Sequence, residues 1–177
     1  MVLLVSGLIL FIGIHTLPSF TAARGYLVGR LGEMTYKGLF GLIAMAGFGL
    51  IIAGMSRAEL QLLWQAPPWA YRLPYLLMPL SFILVVAAYL PNRIRRLTPH
   101  PMLWGVIVWS IAHLPANGNL AAILLFCSMG LFSLFDILSM NRRGKIKAPS
   151  DCRWYHDVLV VGIGLTGYLL CLQIHPA

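Results

Sequence analysis

Apolar residues occur in six long runs, which short polar stretches separate. The runs cover residues 2–20, 38–55, 73–90, 101–115, 119–138 and 158–174. Inside a lipid bilayer the backbone has no water to bond its polar groups, so a run that crosses it must be helical. The pattern therefore predicts an all-α transmembrane bundle of about six helices, with residues 1–177 forming a single integral membrane domain.

Prolines and run lengths refine this picture. The fourth run is the shortest, and we expect residues just before Pro101 to extend its helix across the membrane. Pro18 and Pro79 lie inside the first and third runs and predict kinks there. The first run begins at Met1 without basic residues, which favours a retained helix over a cleaved signal peptide.

Positively charged residues are concentrated in alternate loops. The loops after the first, third and fifth runs hold eleven Lys and Arg residues, and the other two loops hold two. Because cytoplasmic loops of membrane proteins carry the excess of Lys and Arg, both termini are predicted to lie outside the cytoplasm.

Composition supports a membrane protein and argues against other classes. The chain has 177 residues, of which 59% are hydrophobic and 10% charged, and its mean hydropathy is +0.82. A soluble domain of this size has too little core volume for so many apolar residues. The net charge of +8 lies in loops and not along one face, so nucleic acid is not an expected partner. Membrane lipids are the expected partners.

Three histidines near or inside the apolar runs are candidates for function, because ionisable groups are costly at membrane depth. His15 lies in the first run, His100 at the start of the fourth, and His113 near the end of the fourth. Neutral imidazole is the commonest metal ligand in proteins. For His15, a neutral ring hydrogen-bonded to a neighbouring helix is the alternative.

Acidic residues are few. Asp136 lies a turn or more inside the fifth run, where we expect it to face the bundle and pair with one of the arginines that follow, whereas Asp157 is expected in a loop. Glu33 lies three residues after Arg30 and four before Lys37, spacings that allow ion pairs on a helix.

Three ordered motifs cover nearly the whole chain. They are GIHTL at 13–17 followed by Arg24 and LGEMTYKGLF at 31–40, HPMLWG at 100–105 running into VWSIAH at 108–113, and ANGNL at 116–120 followed by Asp136. Together they resemble the NnrU family of membrane proteins, which also contains the plastid 15-cis-zeta-carotene isomerase.

The resemblance implies a role linked to denitrification and nitrogen-oxide metabolism in the cell inner membrane. It also implies a heme b held between His15 and His113, since the isomerase holds its heme between two histidines and uses it to isomerise a cis double bond in a carotene. Any enzymatic activity would then be heme-dependent cis-trans isomerisation of a hydrophobic small molecule. Ser110 stands where the isomerase has a cysteine, which puts a thiolate ligand in doubt.

Depths estimated from helix geometry suggest an alternative to His113 as the second heme ligand. Counted along straight helices from Arg24 and Arg96, His15 lies about 14 Å and His113 about 26 Å from the inner surface. On the same scale His100 lies at about 6 Å, closer in depth to His15. His100 is therefore the alternative second ligand.

Two further functions remain open. The HPMLWG stretch also resembles the His-Pro-x-x-x-Gly segment of membrane methyltransferases of the isoprenylcysteine carboxyl methyltransferase type, although Pro99 stands where those enzymes have arginine. A structural or assembly protein without a cofactor is the other. No residue is assigned as catalytic.

The loop charges generate a testable topology. In a chain lacking its native cysteines, Lys145→Cys should react with a membrane-impermeant maleimide only after the cells are permeabilised, because the loop that contains it is predicted to be cytoplasmic. Reaction in intact cells would reverse the orientation.

Overall fold

A computed structural model describes residues 1–144 and 153–174. Lys145, Lys147, Cys152 and His175 lie outside this part of the chain. The described residues form eight α-helices: α1 (Val2–Thr16), α2 (Thr21–Leu31), α3 (Glu33–Ser56), α4 (Leu73–Ala87), α5 (Ile94–Leu97), α6 (Pro101–His113), α7 (Leu120–Arg142) and α8 (Trp154–Ile174).

The all-α prediction is confirmed. The structure is 80% helical and has no strand in the ranges it describes. Five helical segments are long and apolar enough to cross a membrane: Val2–Ser19, Glu33–Ser56, Ala70–Ala87, Leu120–Arg142 and Trp154–Ile174. The sixth predicted span corresponds to α6, which is shorter.

Helix α6 has 13 residues and therefore a length of about 20 Å, against about 30 Å for the hydrocarbon core of a bilayer. The expectation that residues before Pro101 extend this helix is wrong. His100 is its N-cap and Thr98 is extended. The cause is local. A residue that precedes a proline is disfavoured in the α conformation, and here both Thr98, before Pro99, and His100, before Pro101, are restricted in this way.

The segment after α1 also differs from the prediction. Pro18 lies in a 3-10 turn, Leu17–Ser19, so it follows the end of α1 and does not kink a continuous helix. The expected loop beyond it contains the eleven-residue helix α2. Gly32 separates α2 from α3 with a φ of 79°, a conformation that favours glycine. In the third span, α4 continues through Pro79.

The chain divides into two compact units. Unit 1 contains Met1–Leu63 and Asn119–Ser128, and unit 2 contains Trp64–Gly118 and the residues from Met129 onward. Within unit 1, α1 and α3 pack together with their backbones in close contact. A Cβ added to Gly7 would lie 2.6 Å from the Ile51 nitrogen, and one added to Gly47 would lie 2.8 Å from the Phe11 nitrogen. Small residues allow such close approach in lipid, where dispersion between helices drives association.

Within unit 2, α4 packs against α6 and α8. The buried Ser81 hydroxyl donates a hydrogen bond of 2.8 Å to the Gly105 carbonyl, joining α4 to α6. A Cβ added to Gly164 of α8 would lie 2.8 Å from the Ile83 Cα atom. At these positions the backbone of α4 is therefore in close contact with α6 and with α8.

The polypeptide after α4 satisfies the carbonyls at the end of that helix. The Asn92 side chain is fully buried, and its amide nitrogen donates to the carbonyls of Ala87, at 2.7 Å, and Leu90, at 2.6 Å. The Arg95 guanidinium donates to the carbonyls of Ala87 and Ala88. These bonds replace the water that such carbonyls would otherwise need.

Asp157 does not lie in a loop, as the sequence suggests. It belongs to the first turn of α8, where its carboxylate accepts a hydrogen bond of 2.8 Å from the Arg93 backbone nitrogen and lies 3.6 Å from the Arg93 side chain. The helix begins four residues earlier than the apolar run, because polar residues at a helix start are tolerated where caps and charges are available.

The contact between α1 and α3 yields a matched pair of variants. Gly47→Val should lower the free energy of unfolding in detergent by about 1–3 kcal/mol, because the new side chain meets the backbone of Phe11. Gly49→Val on the same helix has no atom within 4 Å of the new Cβ and should change stability far less. Thermal unfolding of both variants tests this, and equal losses would show that helix propensity and not packing is responsible.

Candidate functional site

His15 lies in the last turn of α1. Its Nδ1 atom is 2.7 Å from the carbonyl oxygen of Phe11 in the preceding turn. A carbonyl can only accept, so Nδ1 carries the ring proton. In the neutral ring the lone pair then belongs to Nε2. Metal-bound histidines are usually held in this way, with the second nitrogen donating to a carbonyl or carboxylate.

Aromatic rings surround His15 within unit 1. The Phe11 ring centroid lies 4.2 Å from that of His15, and the Phe40 ring meets it edge-on at 5.2 Å. Tyr36 continues the cluster, 6.4 Å from Phe40. The Tyr36 side chain is only 7% exposed, and its hydroxyl has no hydrogen-bond partner among the described residues. A buried hydroxyl without a partner costs free energy, so this is a place where a bound polar group would fit.

Of the charged residues singled out in the first motif, only Arg24 joins this cluster. Its guanidinium carbon lies 5.9 Å from the centroid of the Tyr36 ring. Glu33 instead forms an exposed ion pair of 2.8 Å with Lys37, as the spacing predicted. Such exposed pairs contribute little to stability, and Glu33 has no contact here that indicates a functional role.

His113 in unit 2 repeats the arrangement of His15. It lies in the last turn of α6, and its Nδ1 atom is 2.9 Å from the carbonyl oxygen of Trp109. Nε2 is again the nitrogen with the lone pair. The Asn117 side chain donates a hydrogen bond of 2.9 Å to the carbonyl of His113 itself and so caps the end of the helix.

A second buried hydroxyl lies one turn before His113. Ser110 is 5% exposed, and within the described ranges its hydroxyl has no hydrogen-bond partner. A Cβ added to Gly130 of α7 would lie 3.2 Å from this side chain. Residues three apart share a helix face, so Ser110 and His113 face the same side of α6.

His100 is held differently. It is 6% exposed, and its Nε2 atom lies 2.9 Å from the side-chain oxygen of Asn141 in α7. With the amide in this orientation Nε2 is the donor. The bond ties the start of α6 to the end of α7. The Nε2 atom of His100 therefore acts as a hydrogen-bond donor between helices, whereas in His113 Nε2 carries the lone pair, and this favours His113 over His100 as a metal ligand.

Asp136 also lies near the start of α6. A cavity of about 300 Å³ is lined by Arg95, His100 and Asp136 together with apolar side chains. The predicted ion pair of Asp136 is confirmed, since its carboxylate lies 3.7 Å from the Arg143 guanidinium. Both side chains are mostly buried, at 20% and 16% exposure.

The predicted site residues thus fall into three places. His15 and Arg24 belong to the aromatic cluster of unit 1, His100 and Asp136 line the cavity of unit 2, and His113 lies at the other end of α6. The depth predicted for His15 assumed one straight helix from His15 to Arg24. That assumption is wrong, because α1 ends at Thr16 and Arg24 lies on a separate helix. Within the described ranges, no three His, Cys, Asp or Glu side chains group as a metal site would require.

A model of the NnrU protein family matches residues 3–177 of the chain. The chain belongs to the NnrU family. No curated protein and no solved structure matches it. The NnrU match spans both units and includes all of the motifs on which the resemblance depends.

The sequence motifs did not indicate the roles of several residues in these sites. Tyr36 lies inside the first motif, but only tertiary packing reveals that its hydroxyl is buried without a partner. Arg95 looks like any loop cation in the sequence. Asn141 becomes important only because α7 ends beside His100.

The ion pair of Asp136 provides a test. Asp136→Asn should destabilise the protein in detergent by about 3 kcal/mol, because it removes the carboxylate charge that lies 3.7 Å from the mostly buried Arg143 guanidinium. Glu59→Gln, at an exposed position in the loop after α3, should have little effect on thermal unfolding. The double exchange Asp136→Arg with Arg143→Asp should recover part of the loss. Equal, negligible losses would show that Asp136 is solvated.

Proposed function

We propose that this NnrU-family protein binds heme b in the cell inner membrane, with His15 as one axial ligand. The supporting observation is the hydrogen bond from His15 Nδ1 to the Phe11 carbonyl. It selects the tautomer in which Nε2 can bind iron, and it holds the ring in one orientation. The apolar rings of Phe11 and Phe40 beside it suit a porphyrin face.

The second ligand proposed is His113. It shares the tautomer of His15 through its bond to Trp109, whereas the Nε2 atom of His100 is engaged by Asn141. The resemblance to the isomerase supports the same choice. Buried hydroxyls near each candidate, those of Tyr36 and Ser110, could bond polar groups of the bound molecule.

The heme would supply redox chemistry. In this chain the residues around it would exclude water and fix the imidazoles. The resemblance to the NnrU family supports a role in nitrogen-oxide metabolism as the first candidate. Isomerisation of a hydrophobic cis-carotene is the second candidate, in which Ser110 would stand in place of a cysteine and could not supply a thiolate.

An absorption spectrum of the protein purified in detergent tests the cofactor. We expect a Soret band and a low-spin signature. His15→Ala should lower the heme content by about tenfold or more, since even outer-shell changes at metal sites reach that size. His113→Ala should lose the low-spin signature, and His100→Ala should retain both heme and spin state.

The outcomes separate the alternatives. Full heme and an unchanged spin state in His15→Ala would contradict the proposal. Loss in His100→Ala with retention in His113→Ala would keep the heme and change the second ligand. If the protein has no Soret band, binding of S-adenosylmethionine is measured in parallel. Binding would indicate the methyltransferase, and no binding would indicate the cofactor-free assembly protein.

A further inference from the structure

The cavity of unit 2 combines one charged wall with apolar ones. Its volume is about 300 Å³, and its polar lining consists of Tyr89, Arg95, His100 and Asp136. Met102 and Leu103, with further alanine, proline and methionine side chains, form the rest. The volume lies at the lower end of the range for small-molecule pockets, which are mostly apolar with a few convergent polar groups.

The lining contains one cation, Arg95, and one anion, Asp136, and the anion already has a cationic partner outside the lining. Asp136 is paired with Arg143, and the Nε2 atom of His100 is bonded to Asn141. Arg95 is bonded to the carbonyl oxygens of Ala87 and Ala88, which are neutral groups.

No carboxylate in residues 1–144 and 153–174 forms an ion pair with Arg95. A half-buried guanidinium with only carbonyl partners leaves an uncompensated positive charge that favours a bound anion.

The cavity wall around His100, near the Arg95 charge, is held in place by its neighbours. Pro99 and Pro101 fix the backbone on both sides of His100, and the bond from His100 to Asn141 holds the start of α6 against α7. The Tyr89 hydroxyl lies 3.8 Å from the Met102 sulfur, which joins the turn after α4 to the first turn of α6. Lining residues are therefore fixed by contacts with each other and with Asn141 of α7.

From these contacts we propose that the cavity binds the anionic head of an amphiphile, a phosphate or carboxylate attached to an apolar chain, with Arg95 as the direct contact. A volume of 300 Å³ equals the space of about ten water molecules, which accommodates the head and the first carbons of such a molecule but not a long acyl chain. The loop with Arg93, Arg95 and Arg96 is predicted at the cytoplasmic surface, the depth of lipid head groups. This site does not depend on a heme held by His15 and His113.

The test is native mass spectrometry of the intact protein in detergent, titrated with dioleoyl phosphatidylglycerol, dioleoyl phosphatidylcholine, oleate or inorganic phosphate. The anionic lipid should bind about tenfold more tightly than the zwitterionic one. Arg95→Gln should remove that advantage, the loss expected for one charge-assisted hydrogen bond. Arg96→Gln should retain it, because Arg96 is exposed in the same short helix and does not line the cavity.

A second variant separates binding from folding. Leu103→Trp fills the cavity and leaves Arg95 in place, so it should abolish tight binding of phosphatidylglycerol even if Arg95→Gln fails to fold. Tighter binding of oleate than of the phospholipid would identify a free carboxylate as the ligand within the proposal. Equal binding of the two phospholipids, binding of inorganic phosphate as tight as that of the lipid, an equal loss in Arg96→Gln, or unchanged binding in Leu103→Trp would each overturn it.

Discussion

Backbone carbonyls at helix ends need hydrogen-bond donors, and in a membrane the protein itself must provide them. Asn92 and Arg95 supply donors at the end of α4, and Asn117 does so at the end of α6. The ring N–H groups of His15 and His113 donate to the carbonyls of Phe11 and Trp109, which already accept a backbone bond within their own helix. These side-chain bonds decide which imidazole nitrogen can bind a metal, and the Arg95 donor that completes α4 also gives the cavity its charge.

Close helix contacts keep these groups in place. Gly7 and Gly47 bring α1 against α3, which brings the Phe40 ring of α3 into contact with the His15 ring, beside Phe11 of α1 itself. Packing by small residues leaves little room for either helix to rotate, because a shift would bring backbone atoms into collision. The orientation of the histidine is consequently a property of a helix pair and not of a single side chain.

The apolar runs were sufficient to predict the helices, because long apolar segments in lipid have no alternative to helical structure. They were insufficient for α2, whose mixed composition resembles a loop, and for the start of α6, where two prolines override hydropathy. The pairing of Asp136 was predictable because its partner is close in sequence. The roles of Arg95, Tyr36 and Asn141 were not, since they arise when distant segments meet. The heme and its ligands stay predictions.

The short length of α6 has an electrical consequence. A helix of 13 residues covers about two-thirds of the hydrocarbon thickness. For α6 to cross the bilayer, the low-dielectric layer beside it would have to thin or admit water at the helix ends. A membrane potential would then fall over a shorter distance, with a local field about 1.5 times that in the surrounding bilayer. Charge that moves along α6 would couple to the membrane voltage more strongly, for each ångström travelled, than charge that moves along any of the longer helices.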